Sequence, residues 1–301
     1  MSTGGNQANG ESIGIVEGYL TNQHAMDIWD GHLRVASSTD FQWECINNFC
    51  QLVPDNKNYM TVLELPSNNN GVVMVRVGFL DNPGKIGERI AVTQFMGDRA
   101  FVSTVLKTDP FYTFDMSNHR TPAVLGELNI SGLSNYLYRY DSNNEMIVAV
   151  GHNADRQGGM SGLHISLFDT SDIANPKLIS QWLNELNGLD AWSMEETQYD
   201  VKSFQFVPSL KKLLLPATVN TFNGYLDFDG FLVFDVLQES ISFSLDIGHV
   251  DPSKVETSCW YDAYLSARSL VHNGVVTTMK GHTIMSYDLG TNEKVWELNL
   301  D

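Results

Sequence analysis

Phe231-Leu-Val-Phe-Asp235 is a short apolar run closed by one carboxylate, and its recurrence decides the fold. The pattern returns as Met60-Thr-Val-Leu-Glu64, Phe111-Tyr-Thr-Phe-Asp115, His164-Ile-Ser-Leu-Phe-Asp169 and Thr283-Ile-Met-Ser-Tyr-Asp288. The five carboxylates are 51, 54, 66 and 53 residues apart. That spacing is near the roughly 50-residue period of kelch-type units and slightly longer than the WD type. An acid at the end of a strand most simply accepts hydrogen bonds from its own turn, so these five read as structural.

Each signature is one strand of four. Ahead of it lie strand-like runs that begin at tight turns: Gly31 to Ser37, Arg99 to Val105, Met146 to Val150, Lys212 to Thr218 and Gly274 to Met279. One step earlier are Ala25 to Trp29, Ile90 to Met96, Tyr136 to Tyr140, Val201 to Val207 and Ala267 to Val271. After it come Val72 to Phe79, Ala123 to Ile130, Lys177 to Leu183, Ile241 to Ile247 and Lys294 to Leu300. Alternation with turn residues between runs predicts antiparallel strands A to D in every unit. Helical periodicity is confined to a short turn near Trp192 to Thr197. Four-stranded units repeated without linkers predict an all-β chain, a β-propeller of five four-stranded antiparallel blades. The alternative within that class is the C-terminal part of a larger propeller. Residues 1–12, polar and rich in Gly and Asn, read as a disordered N-terminus, and 13–301 as a single propeller domain. Ile13 to Tyr19 is a spare strand-like run. It is expected either to clamp the last blade or to complete a blade upstream.

Composition limits the partners. With 36 Asp+Glu against 18 Lys+Arg the net charge is -18. That field repels phosphate backbones and anionic membrane surfaces, so nucleic acid is an unfavourable partner. No apolar run approaches the ~18 residues of a membrane span, so no membrane insertion is expected. Met1 to Ser12 lacks the basic and apolar regions of a signal peptide. Of three cysteines, Cys45 and Cys50 stand five apart and either bridge or remain thiols, while Cys259 is distant. The odd count argues against a disulfide framework, and no cluster has the ligand spacing of zinc.

Five stretches together resemble the family of secreted prokaryotic-type proteins with a C-terminal β-propeller domain, distantly WD40-like. They are Gly18 to Ser38, Gly87 to Ser117, Thr121 to Asp141, Leu163 to Lys177 and Arg268 to Leu289. The resemblance implies the propeller fold and a secreted or cell-surface location. It says almost nothing of activity, since such a family is defined by architecture. The family pattern carries a histidine where this chain has Val201, so no role for that imidazole carries over. Family members are also longer at the N-terminus. The sequon Asn129-Ile-Ser131 is weak support for export.

Loop lengths separate the two ends of the blades. The A–B and C–D turns are brief, whereas the long connections, Thr39 to Tyr59, Gly151 to Gly162, Asn184 to Gln198, Asn220 to Gly230 and His249 to Asp262, all belong to the B–C and D–A class. Long loops on a rigid scaffold tend to carry function. They hold the candidate binding residues Trp43, His152, Asp155, Trp192, Asp227, Asp229 and Trp260. Aromatic rings beside carboxylates suit stacking on sugars or holding a hard cation. Asp227 and Asp229 are weak calcium candidates, without the remaining ligands of an EF-hand. Each residue also has a plain reading, as loop packing for the tryptophans and as solvated surface for His152 and the acids. There is no nucleophile elbow, and Gly158 to Gly162 lacks the helix a phosphate cradle needs. The expectation is a non-catalytic binding or interaction module without cofactor, calcium aside, that takes a protein or glycan on its acidic, aromatic face. The alternative is a carbohydrate-active hydrolase or lyase with carboxylates at the central channel.

Overall fold

The computed structural model describes residues 12–300 apart from 23, 41, 47–48, 54–55, 67–72, 106–108, 131, 142, 144, 155–159, 184–191, 196–202, 221–225 and 252–266. The described residues form strands and no helix. The chain divides into two compact units, Met1–Leu106 with Pro110–Glu127, and Lys107–Asp109 with Leu128–Asp301.

The first sheet comprises β1 (Met26–Trp29), β2 (His32–Ser38), β5 (Asn58–Glu64) and β6 (Val75–Asp81), hydrogen-bonded in that order. Between β2 and β5 a separate ribbon forms from β3 (Gln42–Ile46) and β4 (Phe49–Val53). The second sheet is β7 (Arg89–Met96), β8 (Arg99–Val105), β9 (Asp109–Asp115) and β10 (Ala123–Ile130). The third is β11 (Leu133–Arg139), β12 (Met146–Ala154), β13 (Met160–Asp169) and β14 (Lys177–Leu183). In the fourth, β15 (Trp192–Glu195) and β16 (Gln205–Val207) both pair with β17 (Lys212–Asn220), which is followed by β18 (Leu226–Val236) and β19 (Ile241–Gly248). The fifth is β20 (Arg268–His272), β21 (Val275–Lys280), β22 (Thr283–Asp288) and β23 (Glu293–Asn299). These are the five antiparallel four-stranded blades that the spacing predicts, with the first strand of the fourth blade in two pieces.

Local chemistry sets the turns. Trp29 pairs with His32 across Asp30-Gly31, whose φ angles are 46° and 73°. His272 pairs with Val275 across Asn273-Gly274, at 49° and 80°. Two consecutive left-handed residues make the hairpin turn that matches strand twist, and Asp-Gly or Asn-Gly is the pair that tolerates it. Three signature carboxylates hold their own turns: Asp115 accepts from the Ser117 amide (2.8 Å), Asp169 from that of Ser171 (2.9 Å), and Asp288 from those of Gly290 (2.8 Å) and Thr291 (3.0 Å). The Ser171 hydroxyl (2.6 Å) and then its amide hold Asp169 below the ordinary carboxylate range, and the Thr291 and Gly290 amides do the same for Asp288. Asp235 instead pairs with Lys212 at 2.8 Å.

Burial explains the near-continuous apolar runs. On β17, Leu213, Leu215 and Ala217 face Val148, Val150 and Leu163 of the third blade. Leu214, on the other side, packs with Val276 and Met285 of the fifth. A strand buried on both faces needs side chains of the same kind on both. In the other unit, Ala36, Met60 and Val62 of the first blade meet Ile90, Val102 and Phe114 of the second.

Some expectations need correction. Trp192 to Glu195 is a strand rather than a helical turn, because pairing to Ala217–Asn220 outweighs the local pattern. The fourth strand of the first blade lies at Val75–Asp81, shifted towards the chain end from the expected Val72 to Phe79. Ile13 to Tyr19 is held by the first blade. Its ends bridge the first blade itself, Ile13 to Val73 and Tyr19 to Ser38, and Ser37 donates to the Glu17 carbonyl at 2.6 Å. The segment is a strap across that blade. Cys45 and Cys50 face each other in the β3–β4 ribbon and are joined as a disulfide.

The first blade is tied to the second by a buried cation. Arg34 is wholly buried, and its guanidinium grips Asp27 through Nε (2.8 Å) and Nη2 (2.6 Å). Nη1 donates to the Gly97 carbonyl in the turn between β7 and β8. The Trp29 and Phe95 rings lie 4.9 and 5.0 Å from the charge. A planar fork uses its donors in this way and an ammonium does not. Arg34→Ala strands Asp27 and opens a hole, and is expected to cost about 3 kcal/mol in urea unfolding. Arg34→Lys is expected to recover only a minor part.

Candidate functional site

The elaborated end of the blades is built of strands that outrun their sheets. On the third blade, β12 and β13 stay paired out to Ala154 and Met160, with a register shift between His152 and Asn153. On the fourth, β17 and β18 stay paired out to Asn220 and Leu226. Here β15 adds a third strand, pairing Trp192 with Asn220 and Glu195 with Ala217. At the opposite end the turns at Asp30-Gly31 and Asn273-Gly274 are two residues long. Among the described residues, Gly151 to Ala154, Met160 to Gly162 and Leu226 to Gly230, which read as loop in the sequence, are therefore paired strand. Their Gly, Asn and Asp residues have weak strand preference, and cross-strand pairing overrides it.

The candidates fall in different blades. Trp192 stands in β15, and Trp43 stands in β3, opposite Leu52. Asp155 and Trp260 lie outside the described residues. His152 is neither a loop nor a surface residue: it is buried in β12 with Nδ1 3.0 Å from Asn135 Nδ2. Asp227 and Asp229 lie inside β18 rather than in a loop. Leu226 pairs with Asn220 and Phe228 with Val219, so Asp227 is the extra residue of a bulge, and it is exposed. A bulge re-aims its side chain.

Asp229 belongs to a buried cluster that joins the fourth blade to the fifth. Lys280 Nζ lies 2.5 Å from Asp229 Oδ1, with the two side chains 2% and 15% exposed. The Thr218 hydroxyl donates to the same oxygen at 2.7 Å and accepts from Lys280 at 3.2 Å. The His249 amide donates to the Asp229 carbonyl at 2.8 Å. The His249 ring sits 2.9 Å from the Thr278 hydroxyl, which in turn donates to the Met285 carbonyl at 3.4 Å. That direction makes Nε2 the protonated nitrogen. Burial, and then the Lys280 ammonium, push the His249 imidazole down to about 4, against the opposing pull of Asp229. Among the described residues no three His, Cys, Asp or Glu gather as a metal site, and a lysine stands where a cation would meet Asp229.

A second hub lies in the other unit, just ahead of β7. Glu88 is buried, and its Oε2 accepts from the Lys85 amide (3.0 Å), the Thr104 hydroxyl (3.0 Å) and the Tyr112 hydroxyl (2.9 Å). Its carbonyl accepts from Asn56 (2.7 Å) and Asn58 (3.0 Å). Burial first, and Glu88 second, hold the Tyr112 phenol far above its ordinary range. Sequence reasoning missed Glu88, His249, Thr218 and Lys280. Only Lys280, a lone cation closing an otherwise uncharged strand, gave any local signal.

Two outcomes are expected. Asp229→Ala leaves a buried lysine without its carboxylate and costs about 3 kcal/mol or more, whereas Asp229→Ala with Lys280→Met recovers over half of that. Chemical denaturation of the four-member cycle measures the coupling. Second, His249 is neutral when folded at a pH where the unfolded chain takes up a proton. Stability present above 6.5 is then lost as pH falls towards 4. The loss is roughly 2–3 kcal/mol. His24 is lowered by burial too. His249→Gln is therefore expected to flatten the pH dependence in that window without abolishing it.

The model for the family described as "Beta propeller domain" matches residues 1–292. An uncharacterized protein of Methanocaldococcus jannaschii is 33% identical over 207 residues, 68% of this chain and 28% of that protein. One of Archaeoglobus fulgidus is 34% identical over 171 residues, 57% of this chain and 23% of that protein. The chain thus spans about a quarter of the length of the curated relatives it matches. Among solved structures, a Lactobacillus plantarum protein has a TM-score of 0.45 at 8% identity, covering 89% of this chain and 81% of its own. Apo AztD from Citrobacter koseri scores 0.37 at 16% identity, covering 81% and 57%. With five four-stranded blades in the structure and a match over nearly its whole length, the chain belongs to the β-propeller domain family.

Proposed function

We propose that this chain is a non-catalytic binding module that engages a protein or glycan through the ribbon end of its third and fourth blades. The observation that carries the reading is the paired extension of β12–β13 and β17–β18, with β15 laid along the second, against two-residue turns at the other end. Paired strands lose less conformational freedom on binding than free loops do. Trp192 and the bulged Asp227 are the groups assigned to contact the ligand, and the -18 net charge favours neutral or cationic partners.

The chemistry of the acids favours binding over hydrolysis. A glycosidase acid is a carboxyl held above its ordinary range. Among the described residues, Asp169, Asp172, Asp288 and Glu297 are held below the ordinary carboxylate range, by hydrogen bonds first. Asp229 is neutralised by Lys280. Secretion or display at the cell surface remains part of the same proposal.

The test is a glycan array together with a panel of cationic and neutral peptides. Trp192→Ala is expected to weaken the ligand found by about tenfold or more, as anchor residues do. Glu239→Ala, in the exposed turn after β18 at the opposite end, is expected to leave it unchanged. Equal loss in both variants moves the site away from the ribbons, and turnover of any bound glycan overturns the non-catalytic reading.

A further inference from the structure

Pro216 stands in the middle of β17, buried, in a strand that pairs on both of its sides. Proline has no amide to give a ladder and is ordinarily confined to sheet edges and bulges. Its tolerance here has a geometric reason. The Val236 amide donates to the Lys211 carbonyl, so these two residues are a hydrogen-bonded pair. Along an antiparallel strand, bonding towards one neighbour alternates residue by residue. β17 and β18 pair without a break from Lys212–Asp235 to Val219–Phe228. Leu213, Leu215 and Ala217 therefore bond towards β18, whereas Lys212, Leu214, Pro216 and Thr218 bond towards the first strand of the blade. The missing amide costs β18 nothing and falls wholly on that first strand.

The first strand breaks at that point. β15 ends with Glu195 opposite Ala217, and β16 resumes with Gln205 opposite Leu214. Two residues would suffice to face Pro216 and Leu215. The chain has nine, 196–204, so seven are surplus. The second and third blades show the same place with a donor present. Ser103 and Val150 lie four residues beyond Arg99 and Met146, as Pro216 lies beyond Lys212, and those three residues pair with Asp115, Asp169 and Asp235. Opposite Ser103 and Val150 the first strand carries one extra residue, Ala91 or Asn135, and then pairs straight on.

The slip decides which residues stand at the ribbon end of the fourth blade. Continued in the register of β16, the chain would set 199–202 opposite Ala217–Asn220. Instead Trp192–Glu195 stand there, and β15 lies against β13 of the third blade. We infer that Pro216 is the specificity-determining residue of the ribbon end: by withholding a bond from the first strand it selects Trp192–Glu195 over 199–202 as the partner of Ala217–Asn220. The inference rests on the reading of that end as the binding surface. One backbone hydrogen bond shifts an equilibrium by up to about tenfold, which is enough to choose between two short segments of one chain.

Disulfide trapping in the full chain tests this without a ligand, with Cys259→Ser throughout and the products assigned by peptide mass spectrometry. Ala217 bonds towards β18, so on its other side it belongs to a non-hydrogen-bonded pair, the close kind that a disulfide spans. Ala217→Cys with Glu195→Cys reports the register of the structure, and Ala217→Cys with Lys202→Cys reports the alternative. With Pro216 in place, the first pair is expected to cross-link in excess of the second. Pro216→Val is expected to lower that ratio by about tenfold, and Pro216→Ser, which copies the second blade, to do the same. A ratio that moves less than about threefold in both variants overturns the inference, because general loosening weakens both cross-links alike. So does a Lys202→Cys cross-link that already dominates with Pro216 in place. Since no ligand enters, the register is judged apart from whether the ribbon end binds.

Discussion

Everything in this molecule follows from the fact that a four-stranded sheet with two apolar faces cannot stand alone in water. Leu213, Leu214 and Leu215 are consecutive and all buried, which is achievable only with a neighbour on each side. Fully burying one such side chain is worth about 1.5–3 kcal/mol. Stacking is thus the source of each blade's stability, while hydrogen bonding within a blade mainly sets its register. Local turns then need only return the chain antiparallel, and the repeated carboxylates do that work at Asp115, Asp169 and Asp288.

Apolar stacking alone is indifferent to small rotations of one sheet on the next. Directional groups remove that freedom. Arg34 reaches from the first blade to the Gly97 carbonyl of the second, and Lys280 reaches from the fifth to Asp229 and Thr218 of the fourth. In both cases a buried cation is matched by a carboxylate, so the desolvation cost is offset only in one geometry. Neither cation is free to serve a ligand, which leaves recognition to the ribbons beyond the sheets.

The blade period was legible because it rests on residues adjacent in sequence: alternation, two-residue turns, and an acid at a strand end. The strands Ala123–Ile130, Lys177–Leu183 and Thr283–Asp288 lie where the pattern predicts them. The candidate site was legible only as a region. His249, Thr218, Asp229 and Lys280 come from four strands or their ends spread over 62 residues between Thr218 and Lys280, and no local pattern registers their meeting. Ribbon was mistaken for loop because Gly151, Asn153 and Asn220 have low strand preference and yet pair. The strap escaped for a different reason. Its strand-type bridges fall only at its two ends, so its alternation looked like a strand that needed a sheet.

The β3–β4 ribbon differs from every other pair of strands in lying outside the five sheets. A lone hairpin is marginal in water. Here Cys45 and Cys50 close it with a covalent bond across a facing pair, so oxidation supplies the constraint that sheet packing supplies elsewhere. The ring so closed is short, and the gain is correspondingly at the low end of what disulfides give. The consequence is that this corner of the protein is set by redox potential as well as by sequence. In a reducing environment the thiols part and the ribbon loses its fixed shape, while the blades, which have no such bond among the described residues, keep theirs.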